Sequence, residues 1–185
     1  MRLVLASASP RRVELLRTIT EDFEIIPSSF EEKGGGDPVS TVSAFARGKA
    51  ENVFQQNPNA LVLGADTVVA LDGVIFGKPK DEADARRMLK LLSGRTHSVY
   101  TGVCLLGEKF RGEVVSETKV TFYSLTDAWI EEYLQSGSPY DKAGAYGIQD
   151  GGLVSSYEGS YTNVVGLPVD EVKLLLEEAI GGNEC

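Results

Sequence analysis

The run Leu61-Val62-Leu63-Gly64-Ala65-Asp66-Thr67 restricts the fold of this chain more than any other stretch. An apolar run bounded by a glycine reads as a buried strand. A strand that stops on Gly-Ala-Asp-Thr leaves Asp66 at a sheet edge instead of in a core. A carboxylate in that position is most often a turn or N-cap residue. Here the following residues argue otherwise, because Val68-Val69-Ala70-Leu71 and Val74-Ile75-Phe76 flank Asp72-Gly73, the signal of a type I′ hairpin. The chain is therefore expected to continue as strand, with Asp66 at the junction between a central strand and a hairpin that returns Gly77-Lys78-Pro79. An acid and a cation brought together by one hairpin point to a site.

Charge narrows what such a site can serve. With 18 Lys+Arg against 27 Asp+Glu, a net charge of −9 in 185 residues, the chain repels a polyanion at long range and offers no basic stripe for nucleic acid. A smaller anion would need a local cluster of cations, helped by a metal. Cys104 and Cys185 make neither a disulfide framework nor a metal-ligand spacing. No signal-peptide core and no run near the ~20 residues of a membrane span is present, so a cytoplasmic protein that does not cross a membrane is expected. The length favours one compact unit over residues 1–185, built as two lobes sharing a cleft. A homodimer is a further expectation, one on which the sequence is silent.

Leu3-Val4-Leu5-Ala6 reads as a short buried strand entering a helix, with Ser9 as N-cap, Pro10 as its first residue and Val13, Leu15, Leu16 and Ile19 near helical spacing. Ser7, Arg11 and Arg12 thus gather at a helix N-terminus directly after a strand. Free N–H groups, the positive end of the helix dipole and two guanidinium groups make a phosphate site there; cations in a first turn otherwise work against the dipole. Residues 23–27 read as a second strand and 28–36 as a polar loop. Asp37-Pro38 opens a helix to about Gln56 with Val39, Val42, Phe45, Ala46, Ala50, Val53 and Phe54 inward. Lys49 lies among those positions and either snorkels or reaches into a cleft.

Further on, Asp81 caps a helix to Leu92 that stops at Gly94, and residues 96–106 and 113–123 form a long hairpin. His97, the sole histidine, begins a strand with no nucleophile pattern around it and reads as structural. Thr126 caps a short helix carrying Trp129, Ile130, Tyr133 and Leu134. Residues 139–149 have no helical or strand period, as in loops that carry contacts. Residues 154–157 and 161–165 read as one more hairpin, Pro168 opens a last helix through Ile180, and residues 181–185 read as a frayed tail.

Two common nucleotide motifs are missing. Gly73-Val74-Ile75-Phe76-Gly77-Lys78-Pro79 is one residue short of a phosphate loop and has proline where the hydroxyl belongs. No Gly-x-Gly-x-x-Gly follows the first strand. What remains is a distributed set: Ser7, Arg11, Arg12, Lys49 and Lys78 as donors and cations, with Asp66 and Glu32 as acids. Phosphate ester or anhydride cleavage uses such a set, carboxylate oxygens holding Mg²⁺ or Mn²⁺ while cations neutralise the rest. Alone, the Glu31-Glu32-Lys33 charge run would be solvated surface.

Leu5-Ala6-Ser7-Ala8-Ser9-Pro10-Arg11-Arg12, Gly64-Ala65-Asp66-Thr67, Gly77-Lys78-Pro79, Leu92-Ser93-Gly94-Arg95-Thr96-His97-Ser98-Val99, residues 141–149 and Val165-Gly166-Leu167-Pro168 together resemble the Maf family of nucleoside triphosphate pyrophosphatases. The boxes come in family order and span nearly the whole chain. The resemblance implies an inosine-triphosphatase-like α/β fold, an elongated mixed β-sheet flanked by helices around a central cleft. It implies hydrolysis of a nucleoside triphosphate to monophosphate and pyrophosphate with a divalent metal, Asp66 as proton acceptor and Glu32 as a metal partner. It also implies a subgroup. Arg11, Thr67 and Gln149 match the dTTP/UTP-hydrolysing group, and the Gln149 amide offers a donor and an acceptor to the C=O/N–H edge of uracil or thymine. That amide discriminates only if neighbours fix its orientation. The competing class is a nucleotide-binding regulator that does not hydrolyse. An unpaired acid beside a triphosphate would not serve it, because a carboxylate and a phosphate ~4 Å apart repel by about 1 kcal/mol even in water.

Overall fold

The structure, a computed structural model, describes residues 2–181. Cys185 and the expected frayed tail beyond Gly181 lie outside the described residues. The first third of the chain follows its capping signals. Strand β1 (Leu3–Leu5) leads into helix α1 (Pro10–Arg17), whose first turn is closed by the Ser9 side chain accepting from the Arg12 N–H. After β2 (Glu24–Ile25), Asp37 accepts from the Ser40 N–H and starts α2 (Pro38–Phe54). Val42, Ala46, Ala50 and Val53 are buried, but Val39 is 44% exposed. It lies one turn before the helix meets the sheet, at Val42, so the expectation that Val39 points inward is corrected.

The central strand differs from the sequence reading. β3 is one strand of 11 residues, Leu61–Leu71, running through Gly64 and Asp66 without a break. Asp66 is therefore mid-strand and not at a strand end. Gly64 reads as a terminator in sequence, but its role is close approach. A Cβ there would fall 2.3 Å from the Ala46 carbonyl oxygen of α2, and one on Gly102, the residue paired with Asp66, would fall 2.4 Å from that of Val42. The helix backbone rests on these two glycines.

Asp72 and Gly73, both at positive φ, turn β3 into β4 (Val74–Phe76) as the hairpin signal requires. Helix α3 (Glu82–Leu92), capped by Asp81, precedes the long hairpin of β5 (Thr96–Leu106) and β6 (Arg111–Phe122). Helix α4 (Asp127–Gln135) is followed by three short 3₁₀ turns over 138–150, and then β7 (Val154–Glu158), α5 (Tyr161–Val165) and α6 (Val169–Gly181). The hairpin expected over 154–165 is half wrong. β7 pairs with β6, but Tyr161–Val165 is helical, because Ser160 caps it by accepting from the Asn163 N–H at 3.2 Å and Asn163 is fully buried. Local β-branched content loses to a cap and a packing demand.

The strand order is β2-β1-β3-β5-β6-β7, with β4 attached to β3. β1 runs parallel to β2 and β3, and the remaining pairs are antiparallel, so the expected mixed sheet flanked by helices is present. One apolar cluster joins α2 to β1 and β3, a second packs α1 and α6 on the opposite face, and a third gathers α3 and α4 around the far ends of β3, β5 and β6. The edge of β3 is not continuously covered. β1 pairs with it up to Leu63 and β4 from Val69 on, leaving residues 64–68 with no strand on that side.

Candidate active site

The uncovered edge opens into a cleft of about 780 Å³. Ser7, Arg11, Arg12, Glu32, Lys49, Asp66, Thr67, Lys78 and Gln149 all line it. They arrive from five parts of the chain: the β1–α1 junction, the loop before α2, α2 itself, the uncovered edge with its hairpin, and the 3₁₀ loop. Side chains alternate along a strand, so Asp66 looks toward α2 while Thr67 looks toward α1 and α5.

On the α2 side, Asp66 is 6% exposed and its Oδ1 accepts from Lys49 Nζ at 2.6 Å. Lys49 therefore reaches into the cleft instead of snorkelling to water. The same ammonium lies 2.7 Å from Glu32 Oε1. Burial pushes the Asp66 carboxyl above the ordinary carboxylate range, and the Lys49 and Arg12 charges oppose that rise. Asp66 and Glu32 are the residues that could hold a divalent cation. Among the described residues no set of three or more His, Cys, Asp or Glu converges. Two hard carboxylates fit Mg²⁺ or Mn²⁺ nonetheless, because such ions keep several waters and complete their shell with substrate phosphate.

The other side is built around Arg12. Its Nε donates to the Gly166 carbonyl at 2.8 Å and its Nη2 to Thr67 Oγ1 at 3.0 Å, while Nη1 lies 3.5 Å from Ser7 Oγ. Burial lowers the guanidinium pKa, and Asp66 works against that shift. Arg12 is thus a held group at the α1 N-terminus and not a solvated first-turn residue. Arg11 lines the cleft too, but its guanidinium is engaged by Asp141, Nη1 to Oδ2 at 2.8 Å and Nη2 to the backbone oxygen at 3.2 Å. Burial alone would raise the Asp141 carboxyl; Arg11 and Lys142 outweigh it and hold it at about 2.

Residues 139–149 form the remaining wall. Lys142 Nζ donates to Ser138 O and to Asp141 Oδ1, and the Gly144 N–H donates to Gly77 O at 3.1 Å, tying the loop to the β4 hairpin that carries the exposed Lys78. Tyr146 lies against His97, its hydroxyl 2.7 Å from Nε2, and burial pushes His97 down to about 4, consistent with a neutral structural histidine. Gln149 is exposed, and among the described residues no hydrogen bond holds its amide. Asp141, Thr101 and Gly166 were not singled out from sequence as site groups. Asp141 and Gly166 sit inside quoted boxes, whereas nothing marks Thr101 before β3 and β5 are paired.

The class defined by this arrangement is an α/β protein with an anion-receiving cleft at a break in its sheet edge. The Ham1 protein of Staphylococcus aureus shares the fold, with a TM-score of 0.60 at 15% identity over 97% of this chain and 100% of that one. The chain belongs to the Maf-like protein family, matched over residues 2–179. A dTTP/UTP pyrophosphatase of Carboxydothermus hydrogenoformans is 49% identical over 183 residues, 96% of this chain and 98% of that protein. Another, from Thermococcus gammatolerans, is 48% identical over 179 residues, 95% of each.

Proposed function

We propose that this protein hydrolyses nucleoside triphosphates, dTTP and UTP foremost, to the monophosphate and pyrophosphate, in the cytoplasm. The whole chain acts as one unit around the cleft. The observation that carries the reading is the pairing, across one uncovered strand edge, of a buried carboxylate held by an ammonium with a guanidinium held at a helix N-terminus. The names of the similar proteins support the same substrates.

In this reading Ser7, Arg12 and the Arg11 N–H in the first turn of α1, whose Arg12 and Val13 N–H groups are taken by Ser9, receive the triphosphate. Asp66 takes a proton from the water that attacks the α-phosphorus, a role suited to a carboxyl raised by burial. Lys49 supplies countercharge to Asp66 and Glu32 and keeps both oriented toward the cleft. Bound by Asp66 and Glu32, Mg²⁺ or Mn²⁺ would polarise phosphate oxygens and offset their charge. Lys78, on the returning hairpin, adds a mobile cation at the mouth. Arg11 acts through Asp141, fixing the loop that presents Gln149. No neighbour among the described residues holds the Gln149 amide, so its reading of the imide edge rests on the bound nucleotide itself fixing its orientation.

Turnover of a panel of triphosphates in ¹⁸O-water tests this directly. dTTP and UTP are expected to exceed CTP by roughly 5- to 150-fold, the cost of one mismatched polar contact. Gln149→Glu should erode that preference. Label is expected in the monophosphate. Label confined to pyrophosphate, or release of diphosphate with inorganic phosphate, would overturn the mechanism.

A further inference from the structure

Arg12 is oriented by atoms that come from, or lead back to, one short helix. Gly166, which follows α5, accepts from Nε at 2.8 Å, and Thr67, which accepts from Nη2, is itself linked to α5 through Thr101. Thr101 is fully buried and its hydroxyl donates to the Asn163 carbonyl at 3.0 Å. A hydroxyl has one proton. With that proton given to Asn163, Thr101 can only accept in its 2.9 Å contact with Thr67, so Thr67 must be the donor there. The single Thr67 proton is then committed too. Toward Arg12, Thr67 presents lone pairs only.

Asn163 is the fixed end of this relay. It is fully buried, and its Nδ2 donates to Val99 O at 3.1 Å and to Thr118 Oγ1 at 3.0 Å, which pins the α5 backbone onto β5 and β6. A rotated Thr67 hydroxyl would set donor against donor at Nη2 and leave the guanidinium held by Gly166 and Ser7 alone. With Nε and one N–H of Nη2 held and Nη1 bonded at 3.5 Å to Ser7 Oγ, the remaining N–H groups of Nη1 and Nη2 are left for phosphate oxygens.

We infer that Thr101 is a positioning residue for the reaction, fixing through the hydroxyl polarity of Thr67 the direction in which Arg12 presents its guanidinium. This rests on the triphosphate reading given above, but its test separates from it. The first measurement is made on the protein without nucleotide: the guanidinium proton resonances of Arg12, identified by their loss in Arg12→Lys. In Thr101→Val the Nη2 protons should lose their protection from exchange while the Nε proton, bonded to Gly166, keeps it. The second is steady-state turnover of dTTP. KM should rise about tenfold in Thr101→Val, the worth of one charge-assisted hydrogen bond, with kcat within about twofold because ground and transition states lose it alike. Thr101→Ser should restore both readouts.

Unchanged Arg12 resonances and KM in Thr101→Val would overturn the inference while leaving the hydrolase reading intact. A wild-type protein that turns over no triphosphate would sink the hydrolase reading, and the resonances would still decide the relay. Should Thr101→Val fail to fold, Thr67→Val removes the hydroxyl through which Thr101 acts, the direct acceptor of Arg12 Nη2, without orphaning the Asn163 carbonyl. Retained Nη2 protection in that variant overturns the relay equally.

Discussion

Asp66 and Thr67 are neighbours in sequence, yet the two sides of the cleft they serve are held in different ways. On the α2 side, the buried Asp66 meets the long Lys49 side chain and a Glu32 side chain that is 47% exposed on a polar loop. Their formal charges sum to −1, which alone would repel a phosphate. On the other side, Arg12 is fixed by the Gly166 carbonyl and by the part-buried Thr67 hydroxyl, itself bonded to the buried Thr101. The first arrangement can exchange an ammonium for another cation at little structural cost. The second cannot change without disturbing α5. Under the proposed function the contrast separates the tasks: the Arg12 side would receive the part of the substrate common to all triphosphates, and the Asp66 side would perform the chemistry.

Substitutions sharpen this contrast in order of size. Asp66→Asn keeps shape and removes charge, so turnover should fall at least ~10²-fold while the thermal midpoint moves little. Retained turnover would put the chemistry elsewhere. Arg12→Ala removes hydrogen bonds to charged groups, and KM should rise roughly 10- to 150-fold with a smaller change in kcat. A loss confined to kcat would break the assignment of this side to binding. For Glu32→Gln, titrating turnover against Mg²⁺ should show at least ~10-fold more cation needed for half-maximal rate, since even outer partners of a metal ligand are worth that much. An unshifted titration removes Glu32 from the cation site. Arg111 pairs with Glu113 and Glu51 on the surface away from the cleft, and Arg111→Ala should stay within about twofold of wild type.

What could be read in advance followed from local chemistry. Ser9, Asp37, Asp81 and Thr126 all cap the helices assigned to them, and Asp72-Gly73 makes its turn. These signals act within a few residues. Gly64 reads as a terminator in sequence because its purpose lies in Ala46 and Ala50, which approach it only once α2 is laid on the sheet. The Lys49 side chain was undecided for the same reason, and its pairing with Asp66 exists only because Gly64 and Gly102 admit the helix. Tyr161–Val165 carries β-branched residues that favour strand locally, and the burial of Asn163 that overrides them is a tertiary event. Arg12 at a helix N-terminus was visible; its hold on Gly166 and Thr67, 154 and 55 residues away, was not.

A bare strand edge is also a hazard, because it offers a template on which a foreign strand can lengthen the sheet. Residues 64–68 of β3 form such an edge in the middle of the molecule. Arg12, Lys49 and Lys78 stand around it, and inserting a second chain would mean breaking the contacts of the first two or stripping water from the third. The charges that draw a small anion inward therefore also keep polypeptide out. The opening that would admit the substrate is thereby poorly suited to strand addition.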